Sequence, residues 1–143
     1  MSNNLIIRRS QIVEAQIQGT PAIGRKYQFL EIPNLSRNNI VVYGMEVFSA
    51  SQLAKSPNNN TVVAAAGLPS ITVTLRDSNK LEYVYQVPAY TLLRSANGGF
   101  FFVMEPRTIN LTDCYIQLTD TTGVNASEVL AINLYYSIVG EDK

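Results

Sequence analysis

The sequence contains no histidine, no tryptophan and a single cysteine. Each absence removes a class of function. Without histidine, the usual general base, the familiar serine and cysteine nucleophile pairs and the commonest metal ligand are all missing. A histidine-free zinc site needs several cysteines, and Cys114 stands alone, so an internal disulfide is excluded as well. Cys114 falls in the alternating run Asp113-Cys114-Tyr115-Ile116-Gln117-Leu118 and reads as a small buried or half-buried hydrophobe.

Charge is also scarce. Charged residues make up 15% of the chain, and 11 basic residues cancel 11 acidic ones. Holding a genome through its phosphates requires a surplus of Lys and Arg, so no direct nucleic-acid contact is expected. Arg8-Arg9 and Arg25-Lys26 read as solvated strand ends. A chain with so little charge and none of it net favours association over remaining a monomer.

Long apolar runs are missing too. Leu5-Ile6-Ile7 is too short for a secretory core or a membrane span before Arg8 and Arg9 interrupt it. The sequons at Asn59, Asn110 and Asn125 then read as chance in an Asn- and Thr-rich chain. The chain is expected to be made in a cytoplasm, with no membrane partner.

The carboxylates suggest little chemistry. Asp77, Asp113, Asp120 and Asp142 are scattered, without the spacing of a calcium loop. A glycosidase needs two carboxylates facing across a cleft. Glu46 with Glu82 or Glu105 are the candidates, but nothing in their spacing selects them. Asn97-Gly98-Gly99 lacks the lysine and helix of a phosphate loop and reads as a turn. No cofactor, no metal and no enzymatic activity are expected.

What the sequence does contain is short-period alternation. At 143 residues and 46% hydrophobic content, the chain is long enough and apolar enough for one domain over 1–143. Apolar and polar residues alternate in short runs closed by Asn, Gly, Pro, Ser or Asp, the pattern of strands and turns. Residues 1–10 read as an N-terminal arm, with a first run over 5–9 that continues through 11–18. Further runs cover 25–32 and 39–50, the second a central strand in which Gly44 marks a bulge or a close backbone approach. Ser70–Arg76 and Lys80–Val87 form a hairpin, with Ile71, Val73 and Leu75 inward. Tyr83 and Tyr85 then share one face of its second strand. Phe100-Phe101-Phe102-Val103-Met104 is apolar on both faces and is expected to be central or covered by another subunit, with Pro106 closing it. Runs over 107–111 and 114–119 follow, and Glu128–Val139 closes the chain. The polar stretch QLAKSPNNN (52–60) reads as a long connection between sheets, a place where partner contacts concentrate.

About eight strands with no helix describe an all-β, antiparallel β-sandwich, jelly-roll-like, although strand order is not readable. The LIIRR arm, the QLAKSPNNN loop and the closing EVLAINLYYSIV strand together resemble small single-domain virion proteins of tailed or icosahedral bacteriophages. The resemblance covers the whole chain in texture and rests on no single motif. It implies a minor capsid, vertex or decoration subunit located in the virion, a homo-oligomer, often a trimer or pentamer, bound to other capsid proteins. Leu5, Ile6 and Ile7 of the arm and Asn58, Asn59 and Asn60 of the loop are the candidate partner-binding residues. The alternative is a carbohydrate-binding module or lectin using Tyr83, Tyr85 or loop asparagines, although such sites favour the tryptophan this chain lacks.

Overall fold

The computed structural model describes residues 9–31, 40–77 and 79–138. Within them the alternation becomes eight strands: β1 (Arg9–Gln16), β2 (Lys26–Gln28), β3 (Ile40–Phe48), β4 (Ile71–Arg76), β5 (Glu82–Pro88), β6 (Phe102–Ile109), β7 (Tyr115–Leu118) and β8 (Val129–Ile138). Short 3-10 turns are the only helical elements among the described residues. One sheet has the order β1-β8-β3-β6 and the other β2-β7-β4-β5, with every pair antiparallel.

The pairing is nested. β4 joins β5 through the hairpin, and outside it β3 pairs with β6, β2 with β7 and β1 with β8. One long hairpin has therefore been rolled up, with β3·β8 and β4·β7 contacts closing each sheet. This is the strand order of a jelly roll, and it excludes the immunoglobulin-type alternative.

Alternation decides which face each strand buries. Val13, Ala15 and Ile17 from β1 and its extension meet Leu130, Ile132 and Leu134 of β8 in one apolar cluster between the sheets. The opposite sheet contributes Ile71, Val73, Leu75, Ile116 and Leu118. Cys114 lies in this cluster, and burial pushes its thiol pKa up to about 12.

Three strands depart from strict alternation. In β3, Val42 lies opposite Tyr136 and Gly44 opposite Tyr135, so Tyr43 is an extra, bulged residue. The bulge flips the phase: Ile40 and Val42 face the core, and beyond it Met45 and Val47 do. Tyr43 swings to the outer face, where its hydroxyl lies 3.0 Å from Ser137 Oγ. Gly44 is the close approach its position suggests, because a Cβ there would sit 2.5 Å from the Phe101 ring and 2.9 Å from the Phe102 carbonyl oxygen. In β5 the register shifts against β4, and Gln86 takes a positive φ of 49°. β6 runs through Pro106, although proline was expected to end it. It can do so because β6 is an edge strand, where a missing backbone donor breaks no ladder on its open side.

That position also removes one of the two alternatives expected for the Phe100–Met104 run. It is not central. Phe102 and Met104 pack against the core, whereas Phe100 and Val103 stand exposed on the sheet margin.

Candidate association surface

The polar loop after β3 covers part of the outer face of the β1-β8-β3-β6 sheet. Val62 and Leu53 seal Val129, Ala131 and Ile12 in a second, smaller apolar cluster. The loop is held through Glu14 of β1, only 2% exposed although it lies on the outer face. Its carboxylate accepts hydrogen bonds from Ser56 Oγ at 2.6 Å, Asn58 Nδ2 at 2.8 Å, Asn60 Nδ2 at 3.1 Å and the Asn58 backbone N–H at 3.2 Å. A buried charge needs this density of donors. Two of the three asparagines expected to meet a partner therefore turn their side-chain amides inward to Glu14. Asn59 stands exposed at the tip with φ 63°, a conformation asparagine tolerates. Leu5, Ile6 and Ile7 lie outside the described residues.

The same outer face carries a second buried carboxylate, Glu46 of β3. The Arg94 guanidinium grips it through both Nε and Nη2, Tyr135 donates its hydroxyl at 2.6 Å, and Asn133 Nδ2 approaches at 3.4 Å. Burial opposes the charged form, but the bonds from Arg94, Tyr135 and Asn133 outweigh it and hold the carboxyl below the usual carboxylate range. Beside this cluster the Phe101 ring stacks on Tyr135 with centroids 4.1 Å apart. Arg94 and Phe101 thus tie both ends of the segment before β6 to the sheet.

The candidate acid pair is not assembled. Glu82 sits on the outer face of the opposite sheet, 3.4 Å from Arg76 and accepting the Tyr115 hydroxyl at 3.0 Å. Glu105 pairs with Arg107 at 3.5 Å on the β6 edge. Depressions occur among the described residues. One, of about 510 Å³, lies where β1 meets β2 beside Arg25 and Glu31; the other, of about 410 Å³, lies between Pro57 and Asn133. In neither do two carboxylates face each other. Among the described residues no group of three or more His, Cys, Asp or Glu side chains gathers for a metal, and no helix is long and apolar enough to cross a membrane.

The tyrosine platform is split as well. Tyr83 packs against the core with Arg107 over its ring at 5.2 Å, whereas Tyr85, beyond it on β5, projects into solvent.

Of the large apolar side chains exposed among the described residues, Ile23 (69%) precedes β2 and the others fall in one stretch of the chain. Leu81 (61% exposed), Tyr85 (56%), Tyr90 (48%), Phe100 (71%) and Val103 (71%) all fall between the start of β5 and the first half of β6. β5 and β6 are the margins of the two sheets on the same side of the roll, joined there by the Asp77–Ile109 bridge and the Arg107–Tyr83 contact. The five residues lie at these two margins or in the segment of chain that joins them. The phenylalanine run signals the apolar character of this stretch in the sequence. Leu81 and Tyr90 carry no such signal, because their exposure depends on which strands become margins.

Compared with known proteins, the chain matches no family model, no curated protein and no solved structure.

Proposed function

We propose that this protein is a structural virion subunit, a capsid-associated minor, vertex or decoration protein that self-associates and binds other shell proteins without catalysing a reaction. The observation that carries the reading is the exposure of Leu81, Tyr85, Tyr90, Phe100 and Val103 at the β5 and β6 margins and in the segment between them. Apolar side chains exposed at a sheet margin favour contact with another chain. The jelly roll is compatible with this role, being used by capsid subunits, but the fold alone does not assign it. Zero net charge agrees with neighbours that are proteins and not nucleic acid.

Two measurements test the reading. Light scattering on the purified chain is expected to give a mass that is a multiple of the 15.8 kDa protomer. A tagged copy produced during infection by the phage encoding it is expected to co-band with particles in a density gradient. A monodisperse monomer that never co-bands would refute the proposal. Exposed Tyr85 and Tyr90 leave a second reading, a carbohydrate-binding module. Glycan-array binding lost in Tyr85→Ala would favour that one instead.

A further inference from the structure

We infer that Asn97 is a modification site: the fold holds its side-chain amide against attack by the Gly98 nitrogen, and spontaneous loss of that amide unlatches residues 93–101 from the sheet.

Asn97-Gly98 is the one Asn-Gly pair in the sequence. The fold explains why the pair occurs here. Gly98 caps the 3-10 turn Arg94–Asn97 at φ 66°, a left-handed conformation that favours glycine. A Cβ at Gly98 would meet nothing within 4 Å, so conformation and not space selects glycine. The same missing side chain leaves the Gly98 nitrogen unshielded beside a chemically labile asparagine. The reaction needs only water. The Gly98 nitrogen gives up its proton and attacks Asn97 Cγ. A C–N bond forms, closing a succinimide ring, while the Cγ–Nδ2 bond breaks and ammonia leaves. Water then opens the ring at either carbonyl, giving aspartate or isoaspartate.

The folded chain restrains both reacting groups. Asn97 Nδ2 donates to the Thr91 carbonyl at 2.8 Å and to the Leu93 carbonyl at 3.0 Å. The Gly98 N–H donates to the Arg94 carbonyl, which also accepts the Gly99 N–H at 2.9 Å. The Asn97 carbonyl accepts the Phe100 N–H at 3.2 Å. Attack therefore waits for the turn to open locally.

Conversion is felt beyond the turn. Through its two bonds Asn97 staples Arg94–Asn97 to the stretch before it, where Ala89 and Leu92 sit in the core. A carboxylate at this position has no proton to donate and would face two carbonyl oxygens. It would also stand three residues from Arg94, a spacing at which it competes with Glu46 for the guanidinium. Arg94 on Glu46 and Phe101 on Tyr135 are the ties of this segment to the sheet. Buried Leu92 keeps the start of the segment anchored, so the change is a local opening of 93–101 and not global unfolding.

Ageing the full chain at mildly alkaline pH, folded and in urea, tests this. Peptide mass spectrometry reads conversion at Asn97, and hydrogen exchange reads protection of 93–101. The folded chain is expected to convert at least about tenfold more slowly than the chain in urea, because the bonds of Asn97 and Gly98 must open first. Asn97→Asp, with its folding checked by thermal melting, is expected to exchange 93–101 about tenfold faster than wild type with β8 unchanged. The converted fraction of aged wild type gives the same reading without a variant. A chain in urea that does not convert at Asn97 would overturn the site, and equal rates in both states would overturn its restraint by the fold. Conversion that leaves the protection of 93–101 intact would overturn the latch.

Discussion

Replacing Gly44 with alanine tests the packing that positions the β6 margin. The new Cβ would lie 2.5 Å from two Phe101 ring carbons and 2.9 Å from the Phe102 carbonyl oxygen, so the ring has to move. Moving it disrupts the stack on Tyr135, whose centroid is 4.1 Å away. Such a stack contributes about 0.5–1.5 kcal/mol beyond burial, and overpacking adds about 1–3 kcal/mol. Alanine returns about 0.4–1 kcal/mol by restricting the unfolded chain. Gly44→Ala should therefore cost about 2 kcal/mol, read from the urea midpoint by tyrosine fluorescence at unchanged m. The decisive comparison is a double-mutant cycle. In a Phe101→Ala background the ring is gone and only the carbonyl contact remains, so the same substitution should cost less than about 1 kcal/mol. Equal costs in both backgrounds, or a cost below about 0.5 kcal/mol in the wild type, would refute the claim that glycine is needed here to admit Phe101.

Three further outcomes follow from the buried polar groups. Glu14→Ala removes the acceptor for Ser56, Asn58 and Asn60 and should cost about 2–3 kcal/mol; hydrogen exchange should show the Asn58 amide losing protection, and unchanged protection would contradict the clasp. Glu46 has a folded-state pKa below its ordinary 4.5, so its stabilising share is complete above the unfolded carboxylate's pKa and is lost as pH falls through the folded value. The melting temperatures of wild type and Glu46→Gln should accordingly be far apart at pH 7 and converge on acidification toward pH 3, and a constant gap would contradict this. Cys114, with its pKa near 12, should resist a thiol reagent at pH 8 until the chain unfolds, whereas fast labelling of the native protein would show that it is not in the core.

Local rules account for much of the fold. Alternation in Ser70–Val87 predicts the hairpin, and Ile71, Val73 and Leu75 are inward as the period requires. Gly44 predicts a bulge or a close approach, and both occur there. Expectations fail where one residue shifts the phase. The bulged Tyr43 places Met45 and Val47 on the face opposite to the one that simple counting from Val41 gives, and the break in β5 separates Tyr83 from Tyr85. A one-residue slip reverses every later side chain, and its position depends on the partner strand, which local sequence does not name.

The exposed apolar margin is hard to read for a related reason. Phe100–Met104 looks like an interior strand because its composition suits burial on both faces, yet composition cannot say whether a neighbour belongs to the same chain. In the nested pairing β3 lies between β8 and β6, and among the described residues no strand lies on the other side of β6. The same run then has the composition of an interior strand at the position of a margin. The asparagines of 58–60 show the converse: their polarity suggests a surface meant for a partner, but Glu14, more than 40 residues away in sequence, takes up two of their side-chain amides. Exposure is a property of strand order, and here strand order leaves Phe100 and Val103 exposed at a margin while Glu14 draws two of the loop's amides inward.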